Sequence, residues 1–339
     1  MIQKVLKPLN LLSLKGSLFS CGQEYGEIFR DEIVQFLEQE TKPNFGRIVY
    51  AQQCLKEVQR FTPQTYTFMK GMNRGSGLSL EELTLIMLHE EIVHQEHCTG
   101  ILARGSSTKK QQTILGQNWD WHPNKSSFAG LLELTLKERP RSIAYTYPGL
   151  WFSQGINKKG LGLVWTGAGY YPLVRPKVGI PTYALISEIF KFSDVTSVLK
   201  YLQEVKNAGC FIFLLSDKNK KGAVVEGIPG KLVISQTDEI YVRANHYEFA
   251  ETVRSSRQNL HLSQVTDTKI RSLYAHNQLK KDYGQISTRT AQNLLSSNKL
   301  RYNFSDHMTI DSFVLIAEER ALLNKRGGSD SKGWRIYTF

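Results

Sequence analysis

The sequence has no uninterrupted apolar run near the 18 to 20 residues or so that a membrane-spanning helix needs. Residues 1–7 also lack the long apolar stretch followed by small residues that a secretory signal requires. Cysteine is scarce: the four occur at positions 21, 54, 98 and 210, with no Cys-x-x-Cys pair. These absences argue against a membrane span, a zinc site and a disulfide scaffold, and we expect a cytoplasmic protein.

Two short patterns superficially suggest a bound metal or nucleotide, and both fail on spacing. His89 and His94 are five residues apart, which places them about 140° apart on a helix and not on one face, so we expect no metal site. The segment Gly167-Ala168-Gly169 lacks the third glycine of a dinucleotide-binding loop. The sequence therefore predicts neither a metal centre nor a nucleotide fold.

The composition is that of an ordinary globular protein. Hydrophobic residues make up 41% of the 339 residues and charged residues 22%, and no Pro/Gly/Ser-rich linker divides the chain, so we predict one domain, 1–339. The net charge of +12 fits nucleic acid, an anionic membrane surface or an anionic substrate such as a CoA thioester. Because the basic residues lie in short groups without interleaved aromatics, we do not expect nucleic-acid binding.

The apolar pattern changes near residue 98. Before it, Ile28, Ile33 and Phe36 recur at near-helical spacing, and Ser79 with Glu82 has the spacing of a capping box, so residues 1–97 are predicted to be mainly helical. After it, the segments typical of strands are Leu131–Leu136, Ser142–Tyr147, Gly160–Thr166, Phe211–Ser216, Ala223–Glu226 and Lys231–Ser235. Helices are predicted at Thr182–Phe192 and Asp194–Asn207. Strand runs interrupted by blocks of helix indicate an α+β fold.

Cys98 opens a hairpin-like segment that returns about twenty residues later at Asp120. A thiol at the tip of one strand, with a carboxylate brought back to it by the next, is a plausible nucleophile with an orienting group. A free cysteine has a pKa of about 8.5, so it needs a base or a positive neighbour before it can attack a carbonyl. The alternative is an inert, buried thiol, as we expect for Cys54 and Cys210.

Several motifs resemble the autoproteolytic acyltransferase and hydrolase family of isopenicillin N acyltransferase, which are N-terminal-nucleophile (Ntn) hydrolases. The resemblance rests on Cys98-Thr99 followed by Gln117-Asn118-Trp119-Asp120, and it extends from Gly22-Gln23-Glu24-Tyr25-Gly26 through Met69–Gly75 to Ala244-Asn245-His246. It implies a four-layer αββα sandwich with two antiparallel sheets between helical layers. It also implies a helical segment 1–97 and a sheet-rich catalytic segment 98–339.

The resemblance implies that the chain cuts itself between His97 and Cys98. The freed α-amino group, whose ordinary pKa is about 7.7 to 8.0, would then act as the base for its own thiol. By the same resemblance Asp120 would anchor the dyad, and the Asn245 amide would help form an oxyanion hole. His97 departs from the family pattern, because fungal isopenicillin N acyltransferase has glycine immediately before the nucleophile.

Three further residues are secondary candidates. Thr309 offers a hydroxyl where the family has a late Ser-Arg pair, but no arginine follows it in Met308–Ser312. Asn118 and Asn157 are candidates for polar pocket contacts, with a turn or structural role as the alternative. The nearby aromatic residues could line an acyl or amine pocket or simply fill the core: Trp119, Trp121, Trp151, Trp165, Tyr170 and Tyr171.

These features lead us to expect an Ntn-type cysteine amidohydrolase or acyltransferase. It would form a thioester on Cys98 and pass the acyl group to water or to an amine, acting on a small-molecule acyl donor or amide. We expect no cofactor, although acyl-CoA is a candidate substrate, and we expect the two cleaved segments to stay associated. The alternative is a non-catalytic binding protein of the same fold that is not processed.

Overall fold

The computed structural model describes residues 9–93, 98–168, 174–256, 262–304, 307–327 and 333–339. The part before Cys98 is one strand followed by helices. Its elements are β1 (Leu11–Gly16), α1 (Leu18–Ile28), α2 (Arg30–Phe36), a π-helical turn (Leu37–Thr41), α3 (Phe45–Phe61), α4 (Pro63–Ser76), α5 (Leu80–Met87) and α6 (His89–Val93). The capping box predicted at Ser79 and Glu82 begins α5, as expected. Of the helices in the described ranges, none is both long and apolar enough to cross a membrane.

Helices α1 and α4 pack unusually closely because glycines face each other at their contact. Gly22 and Gly26 on α1 approach the backbone of α4, while Gly71 and Gly75 on α4 approach the backbone of α1. A Cβ added at Gly71 would collide with the carbonyl oxygen of Phe19, and one at Gly22 would collide with that of Phe68. The two backbones therefore touch directly, which only glycine allows.

The first sheet has eight strands in the order β1-β4-β5-β6-β7-β8-β9-β10. Besides β1, its strands are β4 (Gly130–Leu136), β5 (Ser142–Thr146), β6 (Gly155–Asn157), β7 (Gly162–Gly167), β8 (Phe211–Ser216), β9 (Gly222–Ile228) and β10 (Lys231–Ser235). All neighbours are antiparallel except β1 and β4, which run parallel with Leu11 opposite Leu131.

The second sheet has six strands in the order β11-β2-β3-β12-β13-β14, and all neighbours are antiparallel. Its strands are β2 (Thr99–Ala103), β3 (Ile114–Trp121), β11 (Ile240–Arg243), β12 (Met308–Ile316), β13 (Ala321–Arg326) and β14 (Arg335–Tyr337). The strand that follows Cys98 therefore lies inside the sheet, between β11 and β3.

The two sheets face each other, and helices cover their outer faces. The inner faces share one hydrophobic core with the helices before Cys98 and with α7 (Thr182–Ile189) and α8 (Val195–Glu204). The outer face of the six-stranded sheet has a separate core, shared with α10 (Leu262–Lys281) and α11 (Thr288–Leu295). A further short helix, α9 (Ala250–Ser256), lies between β11 and α10 in the chain. The predicted α+β sandwich is confirmed.

We expected two purely antiparallel sheets, and the structure differs from this expectation at β1, which runs parallel to β4. Parallel neighbours need a long crossover connection, and the helices between β1 and Cys98 supply it. The parallel pair thus places a strand from the first segment in the same sheet as strands from the second.

We expect Gly71→Ala to lower the free energy of unfolding by about 1 to 3 kcal/mol, because the added methyl group must force α1 and α4 apart. Urea denaturation followed by circular dichroism measures the change. The matched control is Gly46→Ala in α3, where the new Cβ would meet only Asn44 Oδ1 at 3.5 Å. That change should be neutral or stabilise by up to about 1 kcal/mol. Equal effects of the two substitutions would contradict the close-packing account.

Candidate functional site

The end of the six-stranded sheet brings together the three residues predicted to carry the chemistry. In β2 and β3, Thr99 pairs with Asn118, so Cys98 and Asp120 lie just beyond that pair on neighbouring strands. On the other side Gly100 pairs with Arg243, and two residues further along Asn245 comes level with Cys98. Strand register therefore places a thiol, a carboxyl group and an amide in one place.

Arg271, on α10, connects Cys98 to Asn245 and was not predicted from the sequence. Its Nη1 donates to the carbonyl oxygen of Cys98 at 2.9 Å and to Thr99 Oγ1 at 2.6 Å. Its Nη2 donates to Asn245 Oδ1 at 3.1 Å. The guanidinium group is held from the other side by Asp267, whose Oδ2 accepts from Nε at 3.1 Å. The site thus contains an arginine, although it comes from α10 and not from the segment around Thr309.

No local signal in the sequence marks Arg271 among the 43 lysines and arginines of the chain. Its burial separates it from most of them, because the residue is only 3% exposed. A charged side chain is rarely buried to this extent unless its donors are paired. A cation at a core-facing position of an amphipathic helix is a signal that could have indicated it, but two of its partners, Cys98 and Thr99, lie more than a hundred residues away.

Asn245 is fixed at both ends of its amide. Its Nδ2 donates to the carbonyl oxygen of Gly167 at 2.9 Å, while Oδ1 accepts from Arg271. The residue is fully buried. Its orientation is therefore set by β7 of the eight-stranded sheet and by α10, which is the kind of support a preorganised hydrogen-bond donor requires.

Asp120 is a buried carboxyl group with one defined partner. Thr309 lies opposite it in the β3–β12 pair, and the Thr309 hydroxyl donates to Asp120 Oδ1 at 2.5 Å. Burial raises the pKa of Asp120 to about 7, against the opposing effects of Arg271, Thr309 and Arg301. Asp120 Oδ2 has no hydrogen-bond partner in the described part of the chain. It is thus available to a group with protons to donate.

The Cys98 thiol is not activated in the uncut chain. Burial raises its pKa far above the ordinary value, and the negative charges of Asp120 and Glu90 raise it further. A hydrogen bond from the backbone N–H of Asp120 and the charge of Arg271 act in the opposite direction without reversing the shift. At neutral pH the thiol is protonated and needs a base.

A small cavity lies against Cys98. Its volume is about 10 Å³, which is room for about one water molecule. Its walls are Cys98, Asp120, Gly167, three tryptophans and three residues from helices: Trp119, Trp121, Trp165, His89, Glu90 and Tyr183. Three of the predicted aromatic residues therefore line it. Trp151 instead stacks on Phe68 with ring centroids 4.1 Å apart.

Asn118 and Asn157 do not line this cavity. Asn118 donates to the carbonyl oxygens of Leu295 and Leu300 and accepts from Ser312. Asn157 donates to the carbonyl oxygens at residues 190 and 192 and accepts two backbone N–H groups of its own turn. The structure gives both residues the hydrogen bonds of structural asparagines.

Some predicted residues lie outside the described ranges. These are His97, at the predicted cleavage point, together with His94, Gly169, Tyr170 and Tyr171. Among the residues that are described, no three His, Cys, Asp or Glu side chains cluster as metal ligands would.

Comparison with solved structures shows the fold. A variant of the conjugated bile acid hydrolase from Clostridium perfringens is similar with a TM-score of 0.50 and 16% identity, covering 71% of this chain and 97% of that one. The penicillin V acylase from Agrobacterium tumefaciens gives a TM-score of 0.47 and 16% identity over 68% and 83% of the two chains. The N-acylethanolamine-hydrolyzing acid amidase of Caenorhabditis elegans gives 0.47 and 14% over 65% and 93%.

No curated protein sequence matches the chain. A family model does: that of acyl-coenzyme A:6-aminopenicillanic acid acyl-transferase matches residues 107–312, which are 206 of the 339 residues. The match includes Asp120, Asn245, Arg271 and Thr309, and it begins nine residues after Cys98. By this match over more than half of its length, the chain belongs to the acyl-coenzyme A:6-aminopenicillanic acid acyl-transferase family and has the Ntn-hydrolase fold.

Proposed function

We propose that this protein is a cysteine amide hydrolase or acyltransferase that matures by cutting its own chain before Cys98. The observation that carries the proposal is the convergence of Cys98 and Asn245 on the guanidinium group of Arg271, with the buried Asp120 in the same cavity wall as Cys98. Membership of an acyltransferase family makes amide or thioester chemistry the natural reaction class. The identity of the nucleophile and the self-cleavage are our inference from the geometry.

Cleavage would supply the base that the uncut chain lacks. In the intact chain the Cys98 nitrogen is an amide, whereas after the cut it is an α-amine with an ordinary pKa of about 7.7 to 8.0. Arg271 holds the carbonyl group of Cys98, so the new N-terminus would stay in place. Asp120 Oδ2 could then accept a hydrogen bond from the amine, and an ammonium partner would favour the ionised carboxylate.

The catalytic cycle follows from these groups. The α-amine takes the thiol proton, and the thiolate attacks the carbonyl carbon of an amide or thioester. Negative charge develops on the carbonyl oxygen, where the Asn245 amide would donate a hydrogen bond. The bond between the carbonyl carbon and the leaving nitrogen or sulfur then breaks. The leaving group takes the proton held by the α-amine, and a thioester remains on Cys98. Water or an amine attacks this thioester and frees the thiol.

The surroundings suggest the substrate class. Trp119, Trp165 and Tyr183 offer apolar surface beside the thiol, which suits an acyl group. The net charge of +12 favours an anionic partner such as an acyl-CoA or an N-acyl amino acid. The cycle uses only side chains, the α-amine and water, so it requires no cofactor, and acyl-CoA would enter as a substrate.

We also infer that the two segments stay together after cleavage. Glu188 on α7 accepts hydrogen bonds from both the backbone N–H and the hydroxyl of Thr65 on α4, each at 2.9 Å. A second pair of hydrogen bonds has its acceptor in the first segment. Glu91 on α6 accepts from the backbone N–H of Thr182 at 2.9 Å and from the Thr182 hydroxyl at 2.7 Å. These contacts are buried, and separation would also expose the apolar core that the segments share.

Self-cleavage predicts two fragments of roughly 11 and 28 kDa, scaled by residue count from the 38.7 kDa total. Intact mass spectrometry of purified protein should show them in the wild type, and Cys98→Ala should remain whole because it lacks the attacking thiol. A single uncut chain in both proteins would remove the N-terminal base. It would favour the alternative of an unprocessed binding protein.

Size-exclusion chromatography of the cleaved protein should give one peak near the mass of the full chain, containing both fragments. The reason is that the buried hydrogen bonds and the shared core do not depend on the cut peptide bond. Adding denaturant should separate the fragments, and their separation in buffer alone would contradict the inferred association.

We expect Asn245→Ala to lower kcat by about 10²- to 10³-fold while changing KM little, because the amide acts on charge that develops during the reaction. Steady-state kinetics on an activated acyl ester measures both constants. Asn219→Ala, at an exposed turn, is the matched control and should leave them unchanged. An effect of Asn245→Ala on KM alone would argue for a role in substrate binding.

A further inference from the structure

Two residues in the wall of the cavity beside Cys98 carry polar atoms for which the proposed cycle has no use. Both ring nitrogens of His89 and the indole Nε1 of Trp121 have no hydrogen-bond partner among the described residues. The two residues are each 1% exposed, so bulk water does not reach them. Buried polar groups of this kind are rare and call for an explanation, such as an ordered water or a catalytic role.

His89 is held by aromatic packing and by one distant carboxylate. Its ring lies 5.4 Å from the rings of both Phe36 and Trp121, measured between centroids. Its Nε2 lies 3.8 Å from Glu40 Oε2, which is too long for a hydrogen bond but close enough to act electrostatically. Glu40 is in turn paired with Lys125, so the carboxylate is fixed.

This arrangement selects a protonation state for His89. Burial lowers the pKa of the imidazole, with Glu40 opposing and Lys125 reinforcing the shift, so the ring is neutral at pH 7. The negative charge of Glu40 beside Nε2 favours the tautomer with its proton on Nε2. Nδ1 is then a hydrogen-bond acceptor.

Trp121 supplies the complementary group. The indole nitrogen can only donate a hydrogen bond. One water molecule fits the cavity volume and could accept from Trp121 Nε1 while donating to His89 Nδ1. Its second proton and second lone pair would then remain for the reaction at Cys98, which lies in the same cavity wall.

We propose that His89 and Trp121 position the water that hydrolyses the acyl group on Cys98. The proposal rests on the proposed function. The water oxygen attacks the thioester carbonyl carbon, and the α-amine of Cys98 takes one proton from the water. The C–S bond then breaks, the proton passes to the sulfur, and a carboxylic acid leaves. His89 lies in the segment before the cut, so that segment would control whether the acyl group goes to water or to an amine.

The test separates hydrolysis from acyl transfer in the mature protein. The probe is a p-nitrophenyl acyl ester, whose burst of nitrophenol reports acylation and whose steady rate reports loss of the acyl group. Hydroxylamine added as a competing acceptor gives a hydroxamate, which is measured separately from the free acid. His89→Phe keeps the ring and its packing but removes both nitrogens, and Trp121→Phe removes the indole N–H.

In both variants we expect an unchanged burst and hydrolysis slowed on the order of 10²-fold, as expected when a reactant is no longer positioned. Transfer to hydroxylamine should change much less, so the ratio of hydroxamate to acid should rise. His276→Phe, the same change at a residue on α10 outside the cavity, should leave the ratio unchanged.

Two outcomes would overturn this inference without touching the proposed function. One is hydrolysis at the wild-type rate in both variants. The other is an equal loss of hydrolysis and of transfer to hydroxylamine, which would show that the two residues have a purely structural role. Mass spectrometry of the quenched reaction distinguishes these from a failure of the proposed function. If the wild type carries no acyl group on Cys98, or if Cys98→Ala gives the same burst, the thioester route itself is wrong and the inference falls with it.

Discussion

The site depends on the hydrogen bonds that the guanidinium group of Arg271 donates. This group joins the carbonyl group of Cys98, the hydroxyl of Thr99 and the side-chain oxygen of Asn245, and so links α10 to the ends of β2 and β11. Removing such a cation from water is costly, and its paired donors offset that cost. The same buried charge stabilises the ionised forms of both Cys98 and Asp120. One side chain thus fixes the geometry of the site and part of its electrostatics.

The segment before Cys98 also takes part in the candidate site. It contributes His89 and Glu90 to the cavity wall, and two of its helices, α1 and α4, pack backbone against backbone at their glycine contact. Glu91 accepts hydrogen bonds from the first residue of α7, which fixes α6 relative to that helix. The chemistry proposed for Cys98 therefore takes place between two segments, each of which supplies one side of the cavity.

Sequence analysis predicted those parts of the fold whose signals are local. The strands Phe211–Ser216 and Lys231–Ser235 have the predicted ends, because apolar runs and flanking turn residues mark them. The helix predicted at Thr182–Phe192 begins at Thr182 as expected but ends three residues early, at Ile189. Cys98 and Asp120 lie at the same end of two neighbouring strands, as predicted, because these strands are consecutive in the chain. The contacts that were missed are distant in sequence: β1 pairs with β4 more than a hundred residues away, and Arg271 reaches β2 over a similar separation. Such contacts depend on tertiary packing, which no short window of sequence records.

The parallel pairing of β1 with β4 has a further consequence for the proposed cut before Cys98. β1 lies at the outer edge of the eight-stranded sheet and covers the backbone N–H and C=O groups of β4 that would otherwise face solvent. An uncovered strand edge can pair with the same edge on another molecule and so start aggregation. The short strand β1 of the first segment thus protects the edge of β4 in the second segment. A truncated protein beginning at Cys98 would expose this strand edge unpaired, which favours aggregation.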